Sequence, residues 1–261
     1  MSMKNLERAH YLLQKGILFT GKKRIKGAEL LYSDAVSDPY WNYATSVNVR
    51  TITKGNMLEA IISFYSERKA LPALYIASGD NRIGRALARY GFKAKYADSW
   101  MVYTGRKIRD NNSGVVVKKV SNKGEMRHFT RIFETVYGLK GTGPYKSLEK
   151  GYGKALFGAF GHKQKGKSVA FYLAYLGGKP VGCAMLVTSG RYAGLYGLGV
   201  LQRYRGRGIA RALTARRIAD ARQMGANIIF LQTEKGSINE KIFKKMGFKT
   251  ELIGRCFVRP Y

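Results

Sequence analysis

The feature that most limits the fold is an internal repeat with a constant offset of 156 residues, the distance from Gly91 to Gly247. At this offset residues 73–76 fall on residues 229–232, and the Gly-Phe-Lys sequence at 91–93 falls on that at 247–249 without a gap. Each copy is predicted to contain an apolar strand, a polar turn, a short helix, Gly-Phe and a second strand. A repeated order of this kind predicts two related domains in tandem.

The domain boundary is expected in the polar segment 107–114, whose composition is typical of a linker. A chain of 261 residues with 45% hydrophobic side chains can bury two cores of ordinary size. We therefore predict one domain at residues 1–110 and a second at residues 111–261. The N-terminus does not resemble a secretory leader and no apolar run reaches the roughly 18 residues of a membrane span, so a cytoplasmic location is expected.

The second domain is predicted to contain an edge strand at 115–117, two amphipathic helices and a three-stranded meander. Strands at 169–175 and 181–187 flank Gly177 and Gly178, which are typical hairpin-turn residues, and a third strand spans 193–200. The apolar stripes of the two helices are Met126, Phe129, Ile132, Phe133 and Val136, and then Leu148, Tyr152, Leu156 and Phe160.

A basic, glycine-containing loop joins the third strand to a helix, and it has the residue types of a phosphate-binding site. Glycines 206 and 208 lie where the strand has ended and the helix begins. At such a junction unpaired backbone N–H groups and the helix dipole attract an oxyanion, and glycine allows close approach. The loop lacks the third glycine of the dinucleotide fingerprint and the Gly-Lys-Ser/Thr of a P-loop.

The loop instead matches the pattern R/Q-x-x-G-x-G/A through Arg205, Gly208 and Ala210, and it resembles the pyrophosphate loop of the GNAT superfamily of acyl-CoA-dependent N-acetyltransferases. The order of elements over residues 168–258 is similar to that of the family. The resemblance implies an α/β (α+β) fold with two GNAT-like domains in tandem, each a mixed, mostly antiparallel sheet flanked by helices. It also implies acetyl-CoA (coenzyme A) as cosubstrate and direct acyl transfer to an amine acceptor.

The first copy lacks an equivalent loop. Residues 50–55 offer β-branched side chains and one glycine, which cannot form the same open row of N–H donors. We therefore expect the domain at 1–110 to be a degenerate copy with a structural or partner-binding role, and one coenzyme A to bind per chain.

The resemblance also assigns candidate site residues in the second copy. Cofactor binding is expected at the strand end and the loop, and at the helix before the second Gly-Phe pair (Leu198, Gly199, Val200, Arg205, Gly206, Arg207, Gly208, Ile209, Ala210 and Phe243). Phe243 occupies the position of the family's usual tyrosine acid, and a phenyl ring cannot donate a proton. The thiolate must then leave unprotonated or take its proton from water or from another phenol, for which Tyr196 is the candidate.

Two carboxylates are candidate general bases. Glu234 follows the last parallel strand and Glu134 lies on the first helix of the second domain. Each also has a simpler explanation, which the sequence favours: Glu234 can be an ordinary turn residue, and Glu134 can form a salt bridge on its helix. A site that deprotonates the amine through water, without a dedicated base, is a third alternative.

Charge is the most unusual bulk property, with 47 Lys and Arg against 16 Asp and Glu and a net charge of +31. Residues 1–110 hold 19 basic and 9 acidic side chains, whereas residues 111–261 hold 28 and 7. An acidic partner or nucleic acid would explain this excess, and so would a general basic bias. The acceptor itself could be an amine-bearing small molecule, peptide or protein.

Two other functions stay open at this stage. The charge and tandem organisation suit an aminoacyl-tRNA-dependent (Fem-like) transferase, although that class generally lacks the coenzyme-A-type loop. Phe243 and the absence of an obvious base suit a non-catalytic acyl-CoA or nucleic-acid binding module. Cys183 and Cys256, with three scattered histidines, have neither disulfide nor zinc spacing, so no metal is expected.

Overall fold

The computed structural model describes residues 3–47, 52, 56–77, 81–106, 108, 114–138, 151–161 and 166–260. These residues pack into two compact units. Unit 1 comprises Met1–Met101, Gln232–Lys241 and Thr250–Tyr261, and unit 2 comprises Val102–Leu231 and Ile242–Lys249. None of the described helices has the length and apolar character that a membrane span requires.

Unit 1 is built around one sheet whose strands are ordered β1-β2-β3-β4-β11-β5. The strands are β1 (Gly21–Ile25), β2 (Ala28–Tyr32), β3 (Tyr43–Thr45), β4 (Ala73–Ala77), β5 (Lys93–Tyr103) and, from the far end of the chain, β11 (Phe248–Val258). Its helices are α1 (Met3–Gln14), α2 (Met57–Glu67) and α3 (Asn81–Ala88). Only β3 and β4 pair in parallel among the registers described for this unit.

The last strand of the chain completes the core of unit 1. In β11, Gly254 to Val258 pair antiparallel with Ala77 to Ala73 of β4. Phe257 thereby joins the buried cluster that includes Ile61, Tyr65, Leu87 and Phe92. The domain boundary predicted near residue 110 would place β11 in the second domain. In the structure most of β11 belongs to unit 1, because it pairs with β4 and buries Phe257 in the core of that unit.

Unit 2 contains an antiparallel meander and one parallel pair, with strands ordered β10-β9-β8-β7-β6. The strands are β6 (Val116–Lys119), β7 (Ser168–Leu176), β8 (Lys179–Ser189), β9 (Tyr192–Val200) and β10 (Ile228–Glu234). Its helices are α4 (Lys123–Tyr137), α5 (Gly151–Ala159) and α6 (Ile209–Gln223), and α7 (Ile238–Lys245) follows β10. The chain therefore has the mixed, mostly antiparallel α/β architecture that the sequence predicts.

Local sequence signals explain several of these elements. Gly177 and Gly178 have φ of 55° and 74°, as a tight hairpin turn between β7 and β8 requires, and this prediction is confirmed. Helix α4 has Asn122 as its N-cap, whose side chain accepts from the Glu125 N–H at 2.9 Å. Of its predicted stripe, Met126, Phe129, Ile132 and Phe133 are buried and Val136 is half-buried. Of the second stripe, Tyr152 and Leu156 are buried in α5, while Leu148 lies outside the described residues.

Candidate functional site

The centre of the candidate site is an irregularity in β9. Cys183 pairs with Gly199 and Met185 with Tyr196, so two residues of β9, Gly197 and Leu198, oppose one residue of β8. Gly197 has φ of 57°, the left-handed conformation that a bulge of this type favours in glycine. The bulge bends the strand and changes the direction of the backbone groups at residues 197–200, the strand end that the sequence selects as a binding element.

Pairing between β9 and β10 is short. It runs over Ile228–Phe230 of β10 and Tyr192–Gly194 of β9, although β9 continues for six residues beyond Gly194. The bulge lies in that continuation. The backbone of residues 195–200 is therefore outside the described β9–β10 ladder.

Helix α4 covers the bulged strand on one side. The Tyr137 hydroxyl donates to the Leu198 carbonyl at 2.6 Å. A Cβ at Gly197 would lie 3.4 Å from the Phe133 ring, and one at Gly199 would lie 3.2 Å from the Cys183 sulfur. Close packing thus favours glycine at 199, whereas Gly197 is favoured by its left-handed φ. Sequence reasoning missed Tyr137, which follows Phe133 by one helical turn but belongs to no motif.

The loop after β9 has the geometry of an anion cradle. A short 3₁₀ turn, Gln202–Tyr204, leads to Gly206 with φ of 80° and Gly208 with φ of 76°, and Gly208 is the N-cap of α6. The first helical bond runs from the Ala212 N–H to the Gly208 carbonyl at 3.0 Å. The amides of the first helical turn before Ala212 therefore have no acceptor within the helix. A Cβ on Gly206 would meet no atom within 4 Å, so the loop faces open space.

Basic side chains surround this cradle. Arg205 and Arg207 are exposed, and the Arg205 Nε donates to the Val200 carbonyl at 3.3 Å. The guanidinium groups of Arg203 and Arg207 lie 5.0 and 5.9 Å from the Tyr204 ring centroid. The loop from 201 to 210 contains no acidic residue. Its N–H donors, positive helix end and cations all favour a phosphate group.

The start of α6 is held against the sheet by a third glycine. A Cβ at Gly182 of β8 would lie 2.9 Å from Ile209 and 3.2 Å from Leu213, and 3.1 Å from the Gly199 carbonyl. Ile209 and Leu213 are buried. Gly182 therefore allows α6 to approach β8 and β9 closely, which brings Ile209 and Ala210 of the cradle next to the end of β9.

A buried arginine bridges α6 and the bulge. Arg217 is fully buried, and its Nη1 donates to the carbonyls of Met185 and Tyr196 at 3.2 Å each. Its Nε donates to the Leu213 carbonyl at 3.2 Å. Burial lowers the pKa of Arg217 to about 10, so the group stays cationic at neutral pH. Met185 of β8 and Tyr196 of β9 form the regular pair next to the bulge, so Arg217 bonds to both strands there.

The thiol beside the bulge is not suited to nucleophilic catalysis. Cys183 is fully buried, and its sulfur lies 3.7 Å from the Gly197 carbonyl. Burial raises the pKa of the Cys183 thiol to about 12, so it is protonated at neutral pH. A covalent acyl-cysteine at this position is therefore disfavoured.

The candidate proton-transfer residues lie on three different elements. Glu134 is exposed on α4, with Oε1 close to Gly153 of α5. The Tyr196 ring runs back over Gly194, toward the N-terminal half of β9 and away from the cradle end. Glu234 is half-buried at the end of β10 and packs in unit 1, where its charge contributes to raising the pKa of Asp98.

Phe243 is buried on α7 and belongs to unit 2. Its ring lies 5.6 Å from the Phe248 ring in an edge-to-face arrangement. This contact makes Phe243 a packing residue as well as a candidate binding residue. Within the described ranges, no three His, Cys, Asp or Glu side chains are placed to hold a metal ion.

Comparison with known proteins identifies a family for the part of the chain that contains the candidate site. The family model for the acetyltransferase (GNAT) family matches residues 137–248, the part that contains the bulge, the cradle and Phe243. A search of curated proteins found no match.

Solved structures show the same fold over nearly the whole chain. A GCN5-related N-acetyltransferase from Kribbella flavida aligns with a TM-score of 0.70 at 14% identity, covering 98% of this chain and 95% of its own. One from Sphaerobacter thermophilus aligns at 0.61 and 14% identity, covering 99% and 86%. A tandem GNAT protein from the clavulanic acid biosynthesis pathway aligns at 0.56 and 9% identity, covering 90% and 79%. Residues 137–248 thus match the acetyltransferase (GNAT) family, and the chain as a whole shares the fold of these GCN5-related N-acetyltransferases.

Proposed function

We propose that this protein is an acyl-CoA-dependent N-acetyltransferase that binds one acetyl-CoA per chain at the loop 205–210. The observation that carries the proposal is the cradle itself. Two glycines in left-handed conformation precede the first turn of α6, and open space lies in front of Gly206. Side chains at these glycines would fill the position that pyrophosphate oxygens need. Acetyl-CoA would supply an activated acetyl group as its thioester.

The residues of β9 are proposed to orient the thioester. Because the bulge at Gly197 and Leu198 turns the backbone of the strand end, N–H groups of residues 198–200 become candidates to stabilise the oxyanion that develops during amine attack. Arg217 and Tyr137 are positioning residues in this proposal, since each bonds to a carbonyl of the bulged strand. Phe243 would pack against the pantetheine arm.

Proton transfer is proposed to involve Glu234 as base, with Glu134 as the weaker alternative, and Tyr196 as the candidate acid for the leaving thiolate. The amine nitrogen must lose a proton as the C–N bond forms, and the sulfur must accept one or leave as thiolate when the C–S bond breaks. Glu134 is directed at α5, and Tyr196 is directed at Gly194, which lowers the support for both. Glu234→Gln should lower kcat more than Glu134→Gln or Tyr196→Phe.

The acceptor class can be tested through ionic strength. The domain 111–261 carries most of the positive charge, so a polyanionic acceptor or partner should bind with strong salt dependence. The Michaelis constant for acceptor, measured at saturating acetyl-CoA between about 50 and 200 mM salt, should rise steeply for such an acceptor and stay flat for a small neutral amine.

The direct test of the proposal is a calorimetric titration of the whole chain with acetyl-CoA, followed by an assay of thiol release with a panel of amines. The proposal expects one site per chain and amine-dependent release of coenzyme A. Two equivalent sites would contradict the degenerate reading of residues 1–110. Absence of acetyl-CoA binding, together with copurified RNA, would favour the aminoacyl-tRNA-dependent alternative.

A further inference from the structure

Unit 1 contains a cavity that is separate from the acetyl-CoA cradle. Its volume is about 280 Å³, and it lies among α3, β5 and β11. The lining includes Gly84 of α3, Ala94 and Lys95 of β5, and Arg255 and Phe257 of β11. All five residues belong to unit 1. The size is near the lower end of small-molecule sites, which favours a compact ligand over a nucleotide.

The internal repeat explains why space exists here. At the offset of 156 residues, Gly84 corresponds to Glu240 and Ala94 to Thr250. Glu240 is buried: its Oε2 accepts from the Gly236 N–H at 2.7 Å, and its Oε1 accepts from the Thr250 hydroxyl at 3.0 Å. In the C-terminal copy a carboxylate therefore fills the space between helix and strand. In the N-terminal copy both side chains are replaced by smaller ones, and the carboxylate is missing.

The positive charges around the cavity are complementary to the carboxylate that the N-terminal copy lacks. Lys95 and Arg255 bring two cations to it from adjacent strands, and neither Asp nor Glu is among its described lining residues. Phe257 is buried, and its ring would lie 3.5 Å from a Cβ on Gly84, so it forms an apolar wall. Two cations beside an aromatic wall can hold a small anion with an apolar body better than an inorganic ion.

We propose that this cavity is a binding site for a small organic carboxylate, which takes the place that the Glu240 carboxylate has in the other copy. Arg255 and Lys95 contact the carboxylate, and Phe257 contacts its apolar part. Gly84 and Ala94 provide the room. The site gives the degenerate N-terminal copy a ligand of its own, and it does not depend on whether the loop 205–210 binds acetyl-CoA.

The probe for this site is 4-fluorobenzoate, followed by ¹⁹F NMR, with the neutral 4-fluorobenzamide as its matched control. The wild type should bind the acid with a Kd of about 1 mM or tighter and bind the amide at least about tenfold more weakly. Gly84→Glu should weaken binding of the acid at least about tenfold, because its own carboxylate fills the cavity. Gly84 has no left-handed φ and its nearest neighbour atoms are at ordinary contact distance, so the substitution is compatible with folding.

A second set of variants makes the test independent of that substitution. Exposed Lys95→Ala should weaken binding of 4-fluorobenzoate, whereas Lys93→Ala, on the same strand but outside the lining, should not. Acetyl-CoA affinity should be unchanged in all three variants. The proposal is overturned if the acid does not bind, if the amide binds equally well, or if Gly84→Glu and Lys95→Ala bind the acid like the wild type.

Discussion

The two copies of the repeat share their backbone elements but differ in the polar residues that those elements bury. At the common offset, fully buried Ile61 of α2 corresponds to fully buried Arg217 of α6, and Leu87 of α3 corresponds to Phe243 of α7. Gly84 and Ala94 correspond to Glu240 and Thr250. The apolar pattern that specifies strand, helix and Gly-Phe is common to both, whereas the groups proposed to support chemistry occur in one. The two copies therefore agree in their secondary structure more than in their buried polar groups.

The cradle is expected to show the largest effect on acetyl-CoA affinity. Gly208→Asp places a carboxylate at the N-terminus of α6, where phosphate oxygens are proposed to bind, and it forces a side chain on φ of 76°. Acetyl-CoA affinity, measured by calorimetry, should fall at least about 100-fold, which is ~2.7 kcal/mol.

The matched control for Gly208→Asp is Gly225→Asp. Gly225 follows the other end of α6 with φ of 84°, and a Cβ there would meet no atom within 4 Å. It introduces the same backbone strain without a charge in the cradle. Equal affinities for the two variants would show that strain, not the anion site, explains the loss.

The pair Phe243 and Leu87 tests whether the same helix position has a binding role in one copy only. Both side chains are buried, so truncation to alanine should cost about 3–5 kcal/mol of unfolding free energy at Phe243 and about 2–5 kcal/mol at Leu87. Only Phe243→Ala should also weaken acetyl-CoA binding in protein that is still folded. Phe243→Tyr should preserve activity. Normal binding by Phe243→Ala would remove this residue from the site.

The pair Arg217 and Ile61 tests whether the buried cation is needed for the bulge. Arg217→Met leaves the carbonyls of Met185 and Tyr196 without their donor, so the free energy of unfolding should fall by about 1–3 kcal/mol. Ile61→Met changes only packing and should cost less than about 1.5 kcal/mol. If Arg217 positions the strand, its variant should also lower kcat with acetyl-CoA saturating. An unchanged kcat in folded Arg217→Met would confine Arg217 to stability.

Those elements that local chemistry determines were predictable from the sequence. The turn at Gly177 and Gly178 needs left-handed backbone at two adjacent residues, and the cradle needs glycine at the start of a helix, so both are visible as motifs. The bonds of Tyr137 and Arg217 to β9 could not be predicted, because they join residues far apart in the chain and follow from three-dimensional packing. The pairing of β11 with β4 could not be predicted either, because β5 and β11, the strands that end the two copies, have similar sequence patterns.

The counterpart of the cradle in the first copy is the segment 50–55, whose sequence predicts no phosphate site. Apart from Ile52, these residues lie outside the described part of the chain. The expectation of a single acetyl-CoA site thus stays a prediction for the titration. The roles proposed for Glu234, Tyr196 and Glu134 depend equally on kinetic tests, since residue type alone does not distinguish a catalytic carboxylate from a turn or surface residue.

A last expected effect concerns the pH dependence of stability, and it should have opposite signs in the two units. In unit 1, burial raises the pKa of Glu7 to about 7, against a weaker lowering by the Thr45 hydroxyl, which donates to Oε1 at 2.8 Å. In unit 2, burial alone would raise the pKa of Asp220, but hydrogen bonds from Tyr172, Lys119 and Arg216 bring it below its usual value.

The signs follow from which form each folded unit prefers. Protonated Glu7 stabilises unit 1 fully below the ordinary glutamate pKa of 4.5, and this stabilisation is lost as pH rises through about 7. Ionised Asp220 stabilises unit 2 above the ordinary aspartate pKa of 3.8, and this stabilisation is lost as pH falls through its lowered pKa. Amide hydrogen exchange, resolved by peptide, should therefore show unit 1 opening more readily toward pH 8 and unit 2 toward pH 3, after correction for intrinsic exchange rates.

Glu7→Gln keeps an acceptor for Thr45 but removes the titration, so it should flatten the pH dependence of unit 1 between about pH 5 and 8 by on the order of 2 kcal/mol. Burial also raises the pKa of Asp98, in the same unit, to about 7. Asp98 should therefore leave a residual pH dependence of stability in Glu7→Gln, which Asp98→Asn removes. Exposed Glu59→Gln on α2 serves as the control and should leave the slope unchanged. If Glu7→Gln leaves the exchange of unit 1 as pH-dependent as the wild type, the carboxyl is not held protonated in the folded unit. The contrast between the two units would then rest on Asp98 in unit 1 and Asp220 in unit 2.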